Sequence, residues 1–384
     1  MCFNQFYLEE DHSPPEVLFG IPRTVFIPFR KFIRNTGAIQ CFTTFSGDIQ
    51  MTDMKTDIRQ LGEFGLINRI ATKVRQDLGI AIGIGDDAAA TWQTGGLLTL
   101  STTDMLVEGV HFDLSLCDPM TLGKKSLSVN LSDIAAMGAK PLYFLLSLAI
   151  PSTTTIEFVD GFTSGLLARA QEFDVTLIGG DTCASASGTV ISITLLGEQA
   201  PDKIVGRNGA RPDDLIFITG TVGDSALGLQ LLRKGQKHGK PVCRHLDPIP
   251  RVLEGQALAA AGAITAMIDV SDGLVGDLRH ILNKSSVGAD LYLEMLPLSD
   301  CYREHFLRDP GELYAMALSG GEDYELLFTA PPSRREEIRS IFREHGTPVS
   351  EIGKITAAPR LRIVSSDGET LPVEKIGFDH FLRR

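Results

Sequence analysis

The sequence predicts an α+β protein of two domains. Its 384 residues, 43% of them hydrophobic, are enough to bury a sizeable core. Helical and strand patterns are mixed in two stretches of similar size, and a turn-rich segment over 201–214 separates them. These observations favour two α+β domains over a single doubly wound sheet. We expect the domains at 58–200 and 201–384, after an extension over 1–57.

The extension differs in composition from the rest of the chain. Pro14, Pro15, Pro22 and Pro28 interrupt scattered aromatic residues, and neither the helical nor the strand period persists. Two interpretations stay open. The natural start is Met51 or Met54 and the upstream residues are not translated, or the segment is a real but disordered tail.

The first half begins with a helix, in which Leu66, Ile67 and Ile70 recur at helical spacing and Gly79 marks the stop. A glycine-rich loop follows over 83–87. The later elements are expected as a strand over 97–103, a helix over 120–138, a strand over 142–150, a helix over 156–173, and strands over 175–178 and 190–196. In the helix over 120–138, the apolar residues form one face, which places Asn130 and Asp133 on the opposite face.

The second half repeats the alternation of strands and helices. We expect a strand over 215–219, a helix over 223–232, a strand over 266–270, a helix over 274–282, strands over 291–295 and 325–329, a helix over 333–345, and closing strands. A Ser-Asp-Gly turn over 271–273 joins the strand that ends at 270 to the next helix.

The overall charge and composition exclude several classes of function. A formal net charge of -12 and a pI near 5.2 argue against a nucleic-acid-binding protein. The six cysteines lie far apart, without the spacing of a zinc site. No apolar run approaches the roughly 20 residues of a membrane helix, and no secretory signal is evident. We therefore expect a cytoplasmic enzyme with no membrane or nucleic-acid partner.

Acidic residues recur at strand ends and turns, beside glycine or serine. They are Asp86, Asp87, Asp104, Asp133, Asp181, Asp269 and Asp272. A single Asp in such a place is usually a cap or a turn residue. Carboxylates that gather in one cleft repel each other unless cations bridge them, and hard oxygen ligands suit Mg²⁺ bound together with substrate phosphates. The recurrence therefore predicts a magnesium–phosphate site.

Two familiar phosphate-binding motifs fail on inspection. Residues 83–88 fit G-x-G-x-x-A, but Ala88 leads toward Trp92 and a Gly-Gly pair instead of a long helix. Gly123-Lys124 resembles the end of a Walker loop, yet Asp118 stands where the first glycine belongs. The sequence thus indicates neither a Rossmann fold nor a P-loop.

Seven motifs together resemble those of the thiamine-monophosphate kinase family, in the same order. They are GIGDDAA, STTDMLVEGVHF, VNLSDIAAMGAKP, LIGGDT, TGTVGDSALGL, DVSDGL and SGGEDYEL, and the resemblance extends from GEFGLI at Gly62 to GFDHF at Phe381. That family belongs to a superfamily with aminoimidazole ribonucleotide synthetase, selenophosphate synthetase and a hydrogenase-maturation protein. Each motif alone has little specificity, whereas seven in order have a great deal.

The resemblance implies a fold and a set of site residues. It implies a ferredoxin-like N-terminal domain that dimerises through its sheet, a C-terminal α/β domain of the aminoimidazole ribonucleotide synthetase type, and ATP in the cleft between them. The implied magnesium ligands are Asp87, Thr102, Thr103, Asp104, Asp133, Asp181, Asp269 and Asp272. The implied ATP contacts are Gly180, Asp181, Arg207 and Ser271, and the implied substrate contacts are His111, Glu322 and Phe378. Thr102 stands where many relatives carry serine.

The implied reaction is ATP-dependent phosphorylation of thiamine monophosphate to thiamine diphosphate. Its acceptor is a phosphate monoester with a second pKa near 6, so it is already an oxyanion at neutral pH and needs no general base. We expect direct in-line transfer, in which positioning and charge neutralisation by several Mg²⁺ ions dominate.

Three rival functions differ from this one in recognisable ways. A selenophosphate synthetase would carry a reactive cysteine and a lysine ahead of the first Asp motif, and no cysteine lies between Ile58 and Gly83. The hydrogenase-maturation relative would end in a cysteine, whereas this chain ends HFLRR. A non-catalytic sensor of nucleotide or thiamine phosphate is the rival from another class, and retention of all the acidic residues argues against it.

Overall fold

The computed structural model describes residues 58–73, 77–307 and 313–371. The predicted extension over 1–57 and the predicted substrate contact Phe378 lie outside these residues. The described residues belong to one compact unit.

Helices and strands alternate along the whole described chain. The helices are α1 (Ile58–Ala71), α2 (Pro119–Ala136), α3 (Ile156–Glu172), α4 (Asp224–Arg233), α5 (Lys240–Leu246), α6 (Val252–Ala261), α7 (Leu274–Ser285), α8 (Asp300–His305), α9 (Leu313–Ser319) and α10 (Arg335–His345). The strands are β1 (Ile80–Ile82), β2 (Ala89–Trp92), β3 (Leu98–Val107), β4 (Lys140–Pro151), β5 (Thr176–Ser185), β6 (Val190–Gln199), β7 (Leu215–Thr219), β8 (Ala266–Asp269), β9 (Gly288–Tyr292), β10 (Leu326–Ala330), β11 (Val349–Thr356), β12 (Leu361–Val364) and β13 (Thr370–Leu371).

The first half forms a six-stranded sheet in the order β1-β2-β3-β6-β4-β5. Its pairs are antiparallel except for β4 and β5, which run parallel because helix α3 connects them. In β3 and β6, buried residues alternate with more exposed ones, so one face of the sheet packs on the core. Helices α2 and α3 pack against each other.

The second half forms a seven-stranded sheet in the order β13-β12-β9-β11-β7-β10-β8. Strands β9 and β12 run parallel, and the other pairs are antiparallel. Strands β7, β8 and β10 are buried along their whole length, as expected for strands with both faces covered. The two mixed sheets with their helices confirm the predicted α+β class.

Helix α2 lies at the centre of the described unit. It begins at Pro119, where the Asp118 side chain caps it by accepting from the Thr121 N–H at 3.0 Å. The sequence separated a polar face with Asn130 from the apolar face, but Asn130 is also fully buried. The helix contacts strands β3 and β6 as well as α3, α6 and β8, so protein covers it on several sides.

Most predicted elements are confirmed to within a few residues, and a few are not. The strand predicted over 291–295 ends at Tyr292, and a 3₁₀ turn occupies Leu293–Met295. Helices α5, α6, α8 and α9 and strands β1 and β2 were not predicted, and the strand predicted over 175–178 extends to Ser185. No helix among the described residues is long and apolar enough to cross a membrane.

Candidate active site

Strand β3 and helix α2 bring the first group of predicted ligands together. Thr102 lies on the buried face of β3 and donates its hydroxyl hydrogen bond to Asp133 Oδ2 on α2. Two residues further along the strand, the Asp104 N–H donates to Asn130 Oδ1 at 3.1 Å. The side-chain amide of Asn130 in turn donates to the Ser126 carbonyl at 3.2 Å. These bonds fix the position of α2 along β3.

Three carboxylates from three different elements form an acidic cluster. Asp87, Asp133 and Asp269 each offer an oxygen, and these oxygens all lie within 4.8 Å of one another. Asp269 ends strand β8, and its Oδ2 accepts a hydrogen bond from Ser132 at 2.7 Å. Such an arrangement of hard oxygen atoms can hold a divalent cation.

Burial and mutual repulsion make this cluster costly without a cation. Burial raises the pKa of Asp133 well above its ordinary value, and the neighbouring Asp104, Asp269 and Asp87 raise it further. The pKa of Asp269 is also well raised, first by burial and then by Asp87. Burial raises the pKa of Asp104 to about 6. The metal-free site therefore favours partial protonation.

Arg207, in the second half of the chain, forms an ion pair and a hydrogen bond with the glycine-rich loop. Its guanidinium forms a two-point ion pair with Asp87, with Nη2 2.7 Å from Oδ1 and Nε 3.1 Å from Oδ2. The Arg207 N–H also donates to Asp86 Oδ1 at 3.1 Å. Burial and Asp87 raise the pKa of Asp86 to about 6, although Arg207 opposes the shift.

The DVSDG motif forms the turn between β8 and α7. Asp277, in the first turn of α7, accepts hydrogen bonds from the Asp272 N–H at 3.2 Å and the Gly273 N–H at 3.0 Å. Burial, with Asp272 and Asp269 nearby, raises the pKa of Asp277 well above its ordinary value. The backbone carbonyl of Ser271 accepts from the Glu322 N–H at 2.7 Å. The DVSDG turn and the SGGEDYEL loop are therefore directly bonded.

The SGGEDYEL loop is held in an unusual backbone conformation. Glu322 and Tyr324 have positive φ angles of 66° and 50°, which cost energy for residues with side chains. Each acidic side chain of the loop bonds to a different part of the fold. Asp323 accepts from the Gly223 N–H at 2.7 Å at the start of α4, and Glu325 accepts from Arg251 Nε at 2.6 Å.

Glu322 lies between two buried basic side chains. Its Oε2 is 3.3 Å from Lys125 Nζ on α2 and 3.3 Å from His245 Nδ1 on α5. The pKa of Glu322 is lowered overall, because Lys125, His245 and His111 outweigh the effect of burial. His111 itself accepts a hydrogen bond at Nδ1 from the Val107 N–H at 3.0 Å.

Two predicted ligands lie away from the acidic cluster. The Thr103 hydroxyl donates to the Ile193 carbonyl at 3.0 Å, and its side chain is exposed on the strand position next to the buried Thr102. Asp181 lies on the edge strand β5, where it is exposed and pairs in register with Ser147. Its neighbour Gly180 approaches strand β4 so closely that a Cβ atom there would lie 1.8 Å from the Leu146 carbonyl oxygen.

Several residues of the site were not predicted from the sequence. Asp323 stands inside the quoted SGGEDYEL motif, and Asp277 follows the DVSDGL motif by three residues, so their closeness in sequence to these motifs was an available signal. Lys125 and His245 carried no comparable signal. Lys125 is 197 positions from its partner Glu322, and no periodicity or motif links them.

The local structure bears out the exclusion of two nucleotide-binding motifs. The residues after the glycine-rich loop form strand β2 at Ala89–Trp92, not the helix that a Rossmann fingerprint requires. Gly123 and Lys124 lie within helix α2, where a Walker loop cannot form.

Comparison with known proteins places the chain among characterised families. Residues 85–199 match the N-terminal domain of the AIR synthase related proteins, and residues 211–366 match the C-terminal domain of the same proteins. The thiamine-monophosphate kinase of Escherichia coli K12 is 39% identical over 327 residues, which cover 83% of this chain and 98% of that protein. The Bacillus subtilis thiamine-monophosphate kinase is 34% identical over 84% of this chain and 100% of its own length.

A solved structure shares both the sequence and the fold. AaThiL complexed with AMPPCP and TMP superposes with a TM-score of 0.75 and 33% identity. The match covers 85% of this chain and 99% of that chain.

Proposed function

Because this chain belongs to the thiamine-monophosphate kinase family, we propose that it transfers the γ-phosphate of ATP to thiamine monophosphate, releasing ADP and thiamine diphosphate. The observation that carries the proposal is the acidic cluster of Asp87, Asp133 and Asp269, joined to the Arg207 loop, in a chain that aligns with nearly the whole length of these kinases. AMPPCP, an ATP analogue, and TMP are bound in the related AaThiL structure.

We assign the site residues by their position in the motifs and their contacts. Proposed magnesium ligands are Asp87, Thr102, Thr103, Asp104, Asp133, Asp181, Asp269 and Asp272, and proposed ATP contacts are Gly180, Asp181, Arg207 and Ser271. Proposed substrate contacts are His111, Glu322 and Phe378. The placement of Asp87, Asp133 and Asp269 supports the metal assignment most strongly. The assignment of Thr103 and Asp181 as ligands rests only on their positions in the sequence motifs.

The residues present fit magnesium. Three carboxylates with oxygens within 4.8 Å of one another supply hard ligands, and burial and mutual repulsion raise the pKa values of Asp133 and Asp269, an effect that a bound cation would oppose. When bound, Mg²⁺ neutralises phosphate oxygens and lets two polyanions approach. Asp87, Asp133 and Asp269 would hold it, with Asp104 beside them.

The protein's part in the reaction is to position the two phosphates. A phosphate oxyanion of the acceptor attacks the γ-phosphorus of ATP, a new P–O bond forms, and the bond to the ADP oxygen breaks in line with it. The acceptor carries its negative charge before it binds, so no side chain needs to remove a proton. Arg207 lies beside Asp87, where its guanidinium can bind a phosphate oxygen of ATP.

The outer face of the six-stranded sheet supports a homodimer. Met105, Tyr143 and Leu145 are 58%, 47% and 36% exposed. They lie on β3 and β4, the strands on either side of β6, and they share one face, because Met105 pairs with Ser192, and Tyr143 and Leu145 pair with Leu196 and Thr194 of β6. An apolar sheet face of this kind suits association with a second copy. Sedimentation should give a dimer for the wild type and a monomer for the double variant M105E/L145E.

The proposed domain division follows the two sheets. Strands β1–β6 lie within 58–200 and strands β7–β13 lie within 201–384. The family models leave the segment between residues 199 and 211 unmatched.

The deciding experiment measures ADP release with a panel of acceptors. Purified protein with ATP and Mg²⁺ should form ADP with thiamine monophosphate and yield thiamine diphosphate, while unphosphorylated thiamine should be a poor acceptor. Turnover of free thiamine or aminoimidazole precursors without turnover of the monophosphate would overturn the proposal. Binding of both ligands with no ADP release would favour the non-catalytic sensor.

A further inference from the structure

We propose that Lys125 and His245 are positioning residues that hold the Glu322 carboxylate as a fixed anion for the cationic thiazolium ring of the substrate. The inference rests on the proposed function, and it concerns the two residues behind Glu322. Lys125 Nζ and His245 Nδ1 both lie 3.3 Å from the same oxygen, Glu322 Oε2.

The exposure of the three side chains differs in a way that suggests their roles. The Lys125 and His245 side chains are 4% and 7% exposed, whereas the Glu322 side chain is 27% exposed. Glu322 is therefore the member of the trio that a ligand can reach. The two bases lie behind it, on helices α2 and α5, and support it from inside the fold.

The backbone of Glu322 is fixed as firmly as its side chain. Its φ angle of 66° is unfavourable for a residue with a Cβ atom, and its N–H donates to the Ser271 carbonyl at 2.7 Å. A strained backbone persists only where the surroundings determine it. Here those surroundings aim a carboxylate and hold it before any ligand binds, which reduces the ordering cost of binding.

His245 is a neutral side chain whose Nδ1 lies close to both Glu322 and Ser225. Burial, with Lys125 nearby, lowers the pKa of His245 to about 3, so the ring is uncharged at neutral pH. Its Nδ1 also lies 3.0 Å from Ser225 Oγ. A lone pair on Nδ1 would repel the Glu322 carboxylate 3.3 Å away, so we assign the proton to Nδ1, where the positive end of the N–H dipole stabilises the carboxylate.

Lys125 supplies the charge that keeps Glu322 ionised. The groups that face this carboxylate are Lys125 on α2, His245 on α5 and His111 after β3, and Lys125 has the largest effect in lowering its pKa. A protonated Glu322 would offer no net charge to a cationic ring. With Lys125 in place, the carboxylate stays anionic at pH values well below neutral.

The test compares two adjacent lysines on the same helix. K125M removes the buried charge, and K124M is the matched control, because Lys124 is 27% exposed and lies 3.6 Å from Asp247 instead. Wild-type turnover of thiamine monophosphate is measured first, so that failure of the proposed function is seen separately. We expect K125M to raise the KM for thiamine monophosphate about tenfold, while K124M stays within about twofold of wild type.

Two further readouts separate positioning from a merely structural role. An analogue of thiamine monophosphate with an uncharged thiophene in place of the thiazolium should show the same KM with K125M as with K124M. The K125M effect on the natural substrate should also grow as the pH falls from 8 to 5.5, because Glu322 then takes up a proton that Lys125 no longer opposes. The K124M profile corrects for titration of the substrate phosphate.

Variants of His245 keep the inference testable if K125M fails to fold. H245N retains an N–H donor near the position of Nδ1, so its KM for thiamine monophosphate should stay within about threefold of wild type. H245L has no such donor, and its KM should rise about tenfold. The KM for ATP should stay constant in both. An unchanged KM for thiamine monophosphate in K125M and H245L, or an equal rise for the neutral analogue, would overturn the inference.

Discussion

Asp104, Asp133 and Asp181 allow the metal assignment to be tested residue by residue. Changing each singly to Asn keeps the size of the side chain and one carbonyl oxygen but removes the charge. We expect turnover to fall at least about a hundredfold, equivalent to roughly 2.7 kcal/mol, because a hard-cation site needs that charge. The measurement is ADP release at saturating Mg²⁺.

The three variants also test different environments. Asp104 and Asp133 lie in or beside the buried cluster, whereas Asp181 lies on an exposed edge strand. As caps or turn residues, they would tolerate Asn with almost no loss. Activity within about threefold of wild type in all three variants would contradict the assignment.

The metal-free protein should respond to pH through the same cluster. The pKa values of Asp104 (about 6) and Asp133 (well raised) exceed the unfolded value near 3.8, so the folded state binds these protons more tightly than the unfolded state does. The cost of ionisation is present at pH 8 and disappears as the pH falls through the folded pKa values. In chelator at pH 8, D133N should therefore melt above wild type, by about 2 °C for each kcal/mol relieved.

That difference in melting temperature should shrink toward pH 5.5, where the wild-type cluster has already taken up protons. Saturating Mg²⁺ at pH 8 should reverse the order, because only the intact cluster gains full stability from binding the ion. A difference that does not change with pH would indicate that repulsion in the cluster is unimportant.

The sequence predicted the acidic residues of the site but not the basic residues behind them. Asp87, Asp133 and Asp269 stand within two residues of glycine or serine in short motifs, and local chemistry suffices to single them out. Lys125 looks like any lysine on a helix. Its role depends on a contact with Glu322 across 197 positions, which only the packing of α2 against the second half creates.

At the scale of elements, helices α2 and α3 cross at two glycines. A Cβ atom on Gly165 would lie 1.8 Å from the Met120 carbonyl oxygen, and one on Gly123 would lie 2.0 Å from the Phe162 carbonyl oxygen. G165A should therefore destabilise the protein by about 2 kcal/mol, since the backbones cannot approach as closely. Chemical denaturation measures this change.

Gly83 provides the control for this substitution. The nearest atom to a Cβ on Gly83 is Ile80 Cγ2 at 3.6 Å, an ordinary contact. G83A should change stability by less than about 0.5 kcal/mol. Equal effects of G83A and G165A would mean that the close crossing does not determine the helix packing.

Elements with a clear period were predictable, and elements shaped by tertiary packing were not. Strand β7 and helix α3 follow their patterns of apolar residues closely. Helix α6 has the sequence VLEGQALAAA, in which apolar residues lie on all faces of the helix. Without a single apolar face, the sequence has no amphipathic pattern from which to predict this helix. Gly255 fits there because a Cβ atom would lie 2.2 Å from the Ala135 carbonyl oxygen of α2.

For the whole molecule, deletion of residues 1–50 should leave activity and melting temperature nearly unchanged. The segment lies outside the sequence motifs. The alignments with the E. coli and B. subtilis relatives include 98% and 100% of those proteins but only 83% and 84% of this chain. Thermal melting and ADP release measure the outcome.

A longer deletion, of residues 1–66, serves as the contrast. It removes Phe64, whose ring lies 4.6 Å from that of His280 on α7, so it should lower the melting temperature. Loss of stability with the shorter deletion would show that the first 50 residues support the fold.

Helix α2 belongs to both halves of the protein, and this has a consequence for how the molecule unfolds. Ser132 donates to Asp269 at 2.7 Å, Lys125 pairs with Glu322, and Gln256 donates to the Ala139 carbonyl at 3.1 Å just beyond the helix. If either half unfolds, helix α2 loses its packing or hydrogen-bond contacts with that half. The two halves should therefore melt cooperatively, in a single calorimetric transition whose measured enthalpy equals the van't Hoff enthalpy.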